Sequence, residues 1–411
     1  MAETSVTNIE PRSAQRVGAF ACRTRVTANK SALTPARCLK TCMEPSGACS
    51  ALAPGRGDKI GRICAEIRKI LAPDNRRVTA DMGNSYVVIG GGTGSFSLLS
   101  GLRQHAVDLS SIVTMMDSGG NSGVLRDSYG VLPPGDLRRC LIALSDESQM
   151  LRDILSYRFE EPPLTGHNLG NLFFLALTRS TGSERLAIEA IGKMLKIKGR
   201  VIPVTWDHSH LTAEIEGGEV IEGEGNIDVR GNENPALPPH DLTRSIKRVY
   251  LVPPASANPD ALKAIESAQA VILAPGDLYT STLPNLLVDG VPEAIQKAEA
   301  PFIYVLNLMT KHGETDGYPA SRHVEEIKRY AGRIPDAVLI HDGSVPDDLL
   351  TRYDDEHAQP VEVDFDKMRA LGVSVTWRRD IIAADSLVRH DPTRTAAALT
   401  ELVDTLLTPD F

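Results

Sequence analysis

Beyond residue 64 this 411-residue chain has a single cysteine, Cys140. That stretch therefore has no internal disulfide, which suits a reducing cytoplasm. The other five, Cys22, Cys38, Cys42, Cys49 and Cys64, lack the CxxC spacing of a structural zinc site. Long apolar runs are missing too. The longest, around Tyr86–Ile89 and Ala270–Ala274, stop far short of the roughly 18–20 residues a membrane span needs. Positive charge is scarce where most of the chain lies. Residues 83–411 hold 30 Lys and Arg against 46 Asp and Glu, whereas residues 1–82 hold 14 against 7. An acidic body of net charge −16 excludes general affinity for nucleic acid or anionic lipid. Attraction for a phosphorylated ligand then has to be local, from backbone N–H groups, helix N-termini, a few arginines or a metal ion. No G-x-S-x-G elbow occurs, so a serine triad of the hydrolase type has no seat.

Residues 11–43 contain seven basic residues and no acid, are rich in Ser, Thr and Ala, and show no sustained apolar periodicity. They predict disorder. Residues 1–81 read as an extension ahead of a domain opening at Met82, interrupted by one amphipathic helix over residues 60–71, where Ile60, Ile63, Cys64, Ile67, Ile70 and Leu71 share a face. From Tyr86 onward short Val- and Ile-rich runs alternate with Gly-rich loops and helical periods, which predicts a doubly wound α/β domain with a mostly parallel sheet. Strands are expected at Tyr86–Ile89, Ser111–Met116, Arg200–Val204, Arg248–Val252, Ala270–Ala274, Phe302–Leu306 and Ala337–Ile340. Leu211–Val229 alternates apolar and polar around Gly217-Gly218 and predicts a β-hairpin inserted at the sheet edge or over one face. One domain covers residues 82–411, with a minor C-terminal subdomain beginning near Asp342.

In such a sheet, ligands bind beyond the carboxyl ends of the strands, where the winding reverses. The first strand runs into Gly90-Gly91-Gly92-Thr93-Gly94 and then a helix, a turn in which backbone N–H groups are open to a phosphate. Ser97 replaces the third glycine of G-x-G-x-x-G and no Walker lysine follows, so neither a standard dinucleotide fingerprint nor a P-loop is present. The second loop, Asp117-Ser118-Gly119-Gly120-Asn121-Ser122-Gly123, is another anion nest, with Asp117 placed for a ribose hydroxyl or a metal. Asp136 reads as an N-cap, and Arg138, in the first turn of the helix that follows, is placed to reach a phosphate. Gly166–Asn171 brings His167, Asn168 and Asn171 to a helix start as candidate base or sugar readers. Gly170 inside that helix implies close approach of another group, because glycine there costs roughly 1 kcal/mol relative to alanine. Gly276, Tyr279 and Thr280 after the fifth strand, with Asn307 and Thr310 after the sixth, form the expected opposite wall. Asp207-His208-Ser209-His210 resembles a metal cluster but lacks a further spaced ligand.

The stretches VVIGGGTGS (Val87–Ser95), DSGGNSGVLR (Asp117–Arg126), VLPPGDLRRCLIALSD (Val131–Asp146), GHNLGNLFFLALT (Gly166–Thr178), APGDLYTSTLPNLLVDGVPEAI (Ala274–Ile295) and NLMTKHGETDGYPASRHV (Asn307–Val324) resemble the bacterial gluconeogenesis factor family, within the 2-phospho-L-lactate transferase superfamily. The resemblance runs from about Tyr86 to the C-terminus. It implies a Rossmann-like cytoplasmic protein that binds a UDP-sugar such as UDP-N-acetylglucosamine, with no required cofactor, and that is needed for cell shape and growth on gluconeogenic carbon sources. It also leaves room for a homo-oligomer and an envelope-synthesis protein partner. The alternative is the transferase branch, which moves a phospholactyl group from a nucleotide diphosphate donor to a deazaflavin with Mg²⁺; Asp117 and Asp136 would then be the metal ligands. Met116-Asp117-Ser118 offers one acid where family members often carry two adjacent ones, and GETDGY (Gly313–Tyr318) favours the gluconeogenesis-factor branch.

Overall fold

A computed structural model describes residues 84–408 except 106, 229–240, 355 and 385–386. The extension expected over residues 1–81, its helix at 60–71 and the end of the hairpin at Val229 lie outside the described residues. The strands are β1 (Ser85–Gly90), β2 (Asp108–Val113), β3 (Arg200–Pro203), β4 (His210–Ile215), β5 (Val220–Glu222), β6 (Ile246–Val252), β7 (Ala270–Leu273), β8 (Phe302–Val305), β9 (Ala337–His341), β10 (Val375–Arg379), β11 (Ile382–Ala384) and β12 (Val388–His390). The helices are α1 (Gly92–Leu102), α2 (Gly120–Tyr129), α3 (Pro134–Ala143), α4 (Gln149–Ser156), α5 (Leu169–Thr181), α6 (Glu184–Met194), α7 (Glu224–Ile227), α8 (Pro259–Glu266), α9 (Leu283–Leu286), α10 (Val291–Lys297), α11 (Ala320–Ala331), α12 (Asp347–Asp354), α13 (Phe365–Leu371) and α14 (Pro392–Leu407).

Seven strands form one sheet in the order β10-β9-β8-β7-β1-β2-β3, and every adjacent pair in it is parallel. This is the expected Rossmann-like, doubly wound arrangement. The chain steps from β1 to β2 and β3 on one side, then resumes at β7 on the other, so the winding reverses between β1 and β7. The central strands are buried on both faces: Val87, Val88, Ile89, Val271, Ile272, Ile303 and Val338 are all at most 2% exposed.

Several elements differ from expectation. β2 ends at Val113, not Met116; Thr114, Met115 and Met116 continue the buried run past the last ladder residue, beneath the loop that follows. The run Arg248–Val252 is not in the main sheet: β6 pairs antiparallel with β4, which pairs antiparallel with β5, giving a separate three-stranded sheet. The hairpin insertion is therefore a small sheet carrying α7. Between β7 and β8 the chain forms no single helix but a π-helical turn (Leu278–Thr282), α9 and α10, with Gly290 at φ +99° before α10. β10 was not foreseen; it extends the main sheet beyond β9. No described helix is long and apolar enough to cross a membrane.

Candidate functional site

At the carboxyl ends of the strands, around the reversal point, lies a cleft of about 650 Å³. Its floor is set by glycines. Gly92 has φ +67°, which a side chain would strain. A Cβ on Gly94 would lie 1.9 Å from the Pro275 carbonyl oxygen, so the turns after β1 and β7 pack backbone against backbone at this point. Gly91 and Gly119 are the N-caps of α1 and α2 and bring no capping side chain of their own; Asp136 accepts a backbone hydrogen bond from Gly92 at the first of these helix starts and Asp117 accepts the Gly119 N–H at the second.

Of the residues singled out in the sequence, Gly91, Gly92, Thr93, Gly94, Asp117, Gly119, Gly120, Ser122, Asp136, Arg138, Asn171, Gly276, Thr280, Asn307 and Thr310 line this one cleft. Gly90, Ser118, Gly123, His167, Asn168 and Tyr279 are outside its lining. Gly90 ends β1 with no room for a Cβ beside Ser95 Oγ and Ala274. The Ser118 hydroxyl accepts the Gly225 N–H at 2.8 Å, and Gly123 allows α2 to approach the Ser118 carbonyl. Asn168 caps α5 and donates its amide to the Ser156 carbonyl at 2.8 Å. His167 Nδ1 lies 2.5 Å from Asn121 Nδ2, while Asn121 Oδ1 accepts the Asn168 N–H at 3.2 Å and the Asn171 Nδ2 at 3.0 Å. His167 and Asn168 thus brace the second glycine loop through Asn121. Tyr279 is fully buried, with its hydroxyl 3.2 Å from that of Tyr318.

Asp136 is not the helix cap. α3 begins two residues earlier at Pro134, whose ring suits the first helical position, and Asp136 in its first turn accepts a backbone hydrogen bond from Gly92. The close approach implied by Gly170 is internal: a Cβ there would meet the Leu155 carbonyl at 2.4 Å and Arg138 Cδ at 2.6 Å. Asp207, His208 and His210 form no metal-ligating group. Among the described residues the carboxylates with that spacing are Asp228, Asp277 and Glu314.

The electrostatics are two-sided. Burial and the nearby Arg139 and Arg158 bring Arg138 down to about 10, because three guanidinium groups share one wall. Arg138 Nε donates to Asn171 Oδ1 at 2.9 Å and Arg158 donates to the Gly166 carbonyl at 2.6 Å. Beside them are three carboxylates. Burial raises Asp117, which also accepts the Gly119 N–H at 3.0 Å. Burial and the Asp117 charge push Asp136 up to about 6, and burial and Asp117 push Glu224 up to about 8. Glu224 Oε2 accepts the Ser118 N–H at 3.2 Å. The cleft thus sets desolvated guanidinium groups beside desolvated carboxylates, with Arg139 3.8 Å from Asp136. Arg139, Arg158, Glu224, Asp228, Asp277 and Lys311 were not singled out in the sequence. Arg139 sits beside Arg138 in a motif already quoted, whereas Arg158 and Glu224 reach the cleft only through the tertiary fold.

The family described as 2-phospho-L-lactate transferase CofD matches residues 86–381. The gluconeogenesis factor of Halalkalibacterium halodurans is 39% identical over 321 residues, covering 77% of this chain and 96% of that protein. The gluconeogenesis factor of Bacillus subtilis is 37% identical over 319 residues, covering 77% and 97%. A crystal structure of a UPF0052 family member from Bacillus halodurans superposes with a TM-score of 0.72 at 38% identity, covering 77% of this chain and 98% of that one. With the motif order, the fold and these matches in agreement, the chain belongs to the gluconeogenesis factor family within the 2-phospho-L-lactate transferase superfamily.

Proposed function

We propose that the cleft binds a nucleotide sugar of the UDP-N-acetylglucosamine class and that the protein works in the cytoplasm as a ligand-responsive factor supporting cell shape and growth on gluconeogenic carbon sources. The observation that carries the binding step is the arginine wall. Arg138, its pKa lowered by burial and by Arg139 and Arg158, gains most from a diphosphate, whose two negative charges offset the crowded guanidinium groups. The two glycine turns add backbone N–H donors on the same side. Asn307 and Thr280 line the opposite wall, where the sugar hydroxyls find partners. The physiological part of the reading rests on the relatives, which carry the name gluconeogenesis factor.

A second reading is phospholactyl transfer with magnesium, and one observation favours it: Asp117, Asp136 and Glu224 line the same cleft, and burial raises all three even though Arg139 lies 3.8 Å from Asp136. These donors fit a hard divalent ion. Asp117 and Asp136 would hold it, and when bound it would supply charge neutralisation for a departing phosphate. The chain's own part is to orient the diphosphate through Arg138 and the glycine turns. Calorimetric titration with UDP-N-acetylglucosamine, UDP-glucose and a deazaflavin, each with and without Mg²⁺, tests both readings. Saturable binding of a UDP-sugar, indifferent to Mg²⁺ and retained in Asp117→Asn, supports the first. Deazaflavin binding, with donor affinity that depends on Mg²⁺ and is lost in Asp117→Asn, supports the second and overturns the first.

A further inference from the structure

Lys311 lies in the loop after β8 with its side chain only 8% exposed. Its ammonium is 2.6 Å from Asp228 Oδ1, 2.5 Å from Asp277 Oδ2 and 3.1 Å from Glu314 Oε1. One oxygen from each carboxylate falls within 4.8 Å of the others, the spacing of ligands around a single divalent ion. The ammonium therefore stands where such an ion would.

The three carboxylates come from three separate pieces of chain. Asp228 follows α7 in the inserted sheet, and its N–H donates to the Glu224 carbonyl at 2.7 Å. Asp277 sits in the loop after β7, immediately before the π-helical turn. Glu314, in the loop after β8, accepts the Tyr279 N–H at 3.0 Å and the Thr280 hydroxyl at 2.9 Å. At the other end of α7, Glu224 and Gly225 meet Ser118. The helix that brings Glu224 and Gly225 to the cleft has four residues, too short to hold its place by its own hydrogen bonds. Ile227 anchors it in the core, and its two ends are fixed by Ser118 and by the Lys311 cluster.

We propose that Lys311 is a positioning residue acting as a tethered cation: its ammonium holds α7, with Glu224 and Gly225, closed against the cleft, at a position where an untethered divalent ion would otherwise be required. The ammonium is the positive charge that Asp228, Asp277 and the buried Glu314 share; without it the acids repel one another and the end of α7 that carries Asp228 loses its hold. The proposal rests on the ligand-binding reading above only in giving this closure a purpose.

The test uses the full chain in three forms. Lys311→Met fills the space without charge, Lys311→Ala leaves room for an ion, and Asp228→Asn keeps the lysine but weakens its hold on α7. Hydrogen exchange over residues 222–228 is expected to quicken at least about tenfold in all three, as local opening loses its restraint. Mn²⁺ counted by electron paramagnetic resonance is expected to show one more bound ion in Lys311→Ala than in the unaltered protein, and none extra in Lys311→Met. That ion is expected to slow exchange over residues 222–228 again in Lys311→Ala alone. Unchanged exchange in Asp228→Asn or Lys311→Met overturns the proposal, as does an equal Mn²⁺ count in Lys311→Ala and the unaltered protein. Asp228→Asn keeps the test decisive if either lysine variant fails to fold. None of these readouts needs a nucleotide. Failure of UDP-N-acetylglucosamine to bind the unaltered protein would count against the ligand reading and leave the latch standing on its own result.

Discussion

Asp136 and Arg138 stand two residues apart in the first turn and a half of α3 and respond to the cleft in opposite ways. The Asp136 carboxyl, pushed up to about 6 by burial and by Asp117, holds its proton more tightly when folded than when unfolded. Stability from that proton is full below the unfolded value near 4 and is lost as pH rises through about 6, at a cost on the order of 2–3 kcal/mol by pH 7. Urea unfolding without divalent ions is therefore expected to show lower stability at pH 7 than at pH 5, with a smaller difference in Asp136→Asn. A larger difference in the variant contradicts the assignment. Arg138→Ala removes a charged donor from the phosphate wall, and titration is expected to show roughly 10- to 100-fold weaker nucleotide-sugar binding. Arg138 was visible in the sequence because it follows Pro133-Pro134-Gly135-Asp136 at a helix start. The role of Asp136 was misjudged there, because a proline that opens a helix and an aspartate that caps one look alike until the first turn is placed.

At the scale of elements, the turn after β1 and the turn after β7 meet through Gly94 and Pro275. Gly94→Ala is expected to push these turns apart, lowering stability by about 1–3 kcal/mol in chemical denaturation and weakening ligand binding together. Loss of binding with unchanged stability would mean that the contact is not structural. The parallel strands β1, β7, β8 and β9 were legible because Val- and Ile-rich runs buried on both faces have few other uses. β2 was displaced because Thr114-Met115-Met116 prolongs the apolar run after the ladder stops. β6 was legible as a strand but not as a member of the inserted sheet, since apolar content does not tell a strand which neighbour to choose. β10, VTWRR, went unseen because its side chains are only half-buried at the sheet edge. The same limit hid Glu224 and Asp228, two acids among several in the inserted stretch, brought to the cleft by pairings tens of residues away, whereas Lys311 lay in a quoted motif with nothing local to mark its partners.

For the whole molecule, the excess of acid in residues 83–411 opposes an anionic ligand at long range, so affinity has to come from the desolvated groups of the cleft. Binding is therefore expected to survive at 150 mM salt, and a chain beginning at Met82 is expected to bind UDP-N-acetylglucosamine as tightly as the full chain when both are titrated under one condition. A large loss on shortening would assign residues 1–81 a part in the site. The central claim is that the arginine wall and the two glycine turns at the reversal point together hold a diphosphate. Amide hydrogen exchange with and without UDP-N-acetylglucosamine tests it most directly. Slowed exchange at Thr93, Gly94, Asn121 and Ser122 is the predicted result, and saturable binding that leaves those amides unprotected would contradict it.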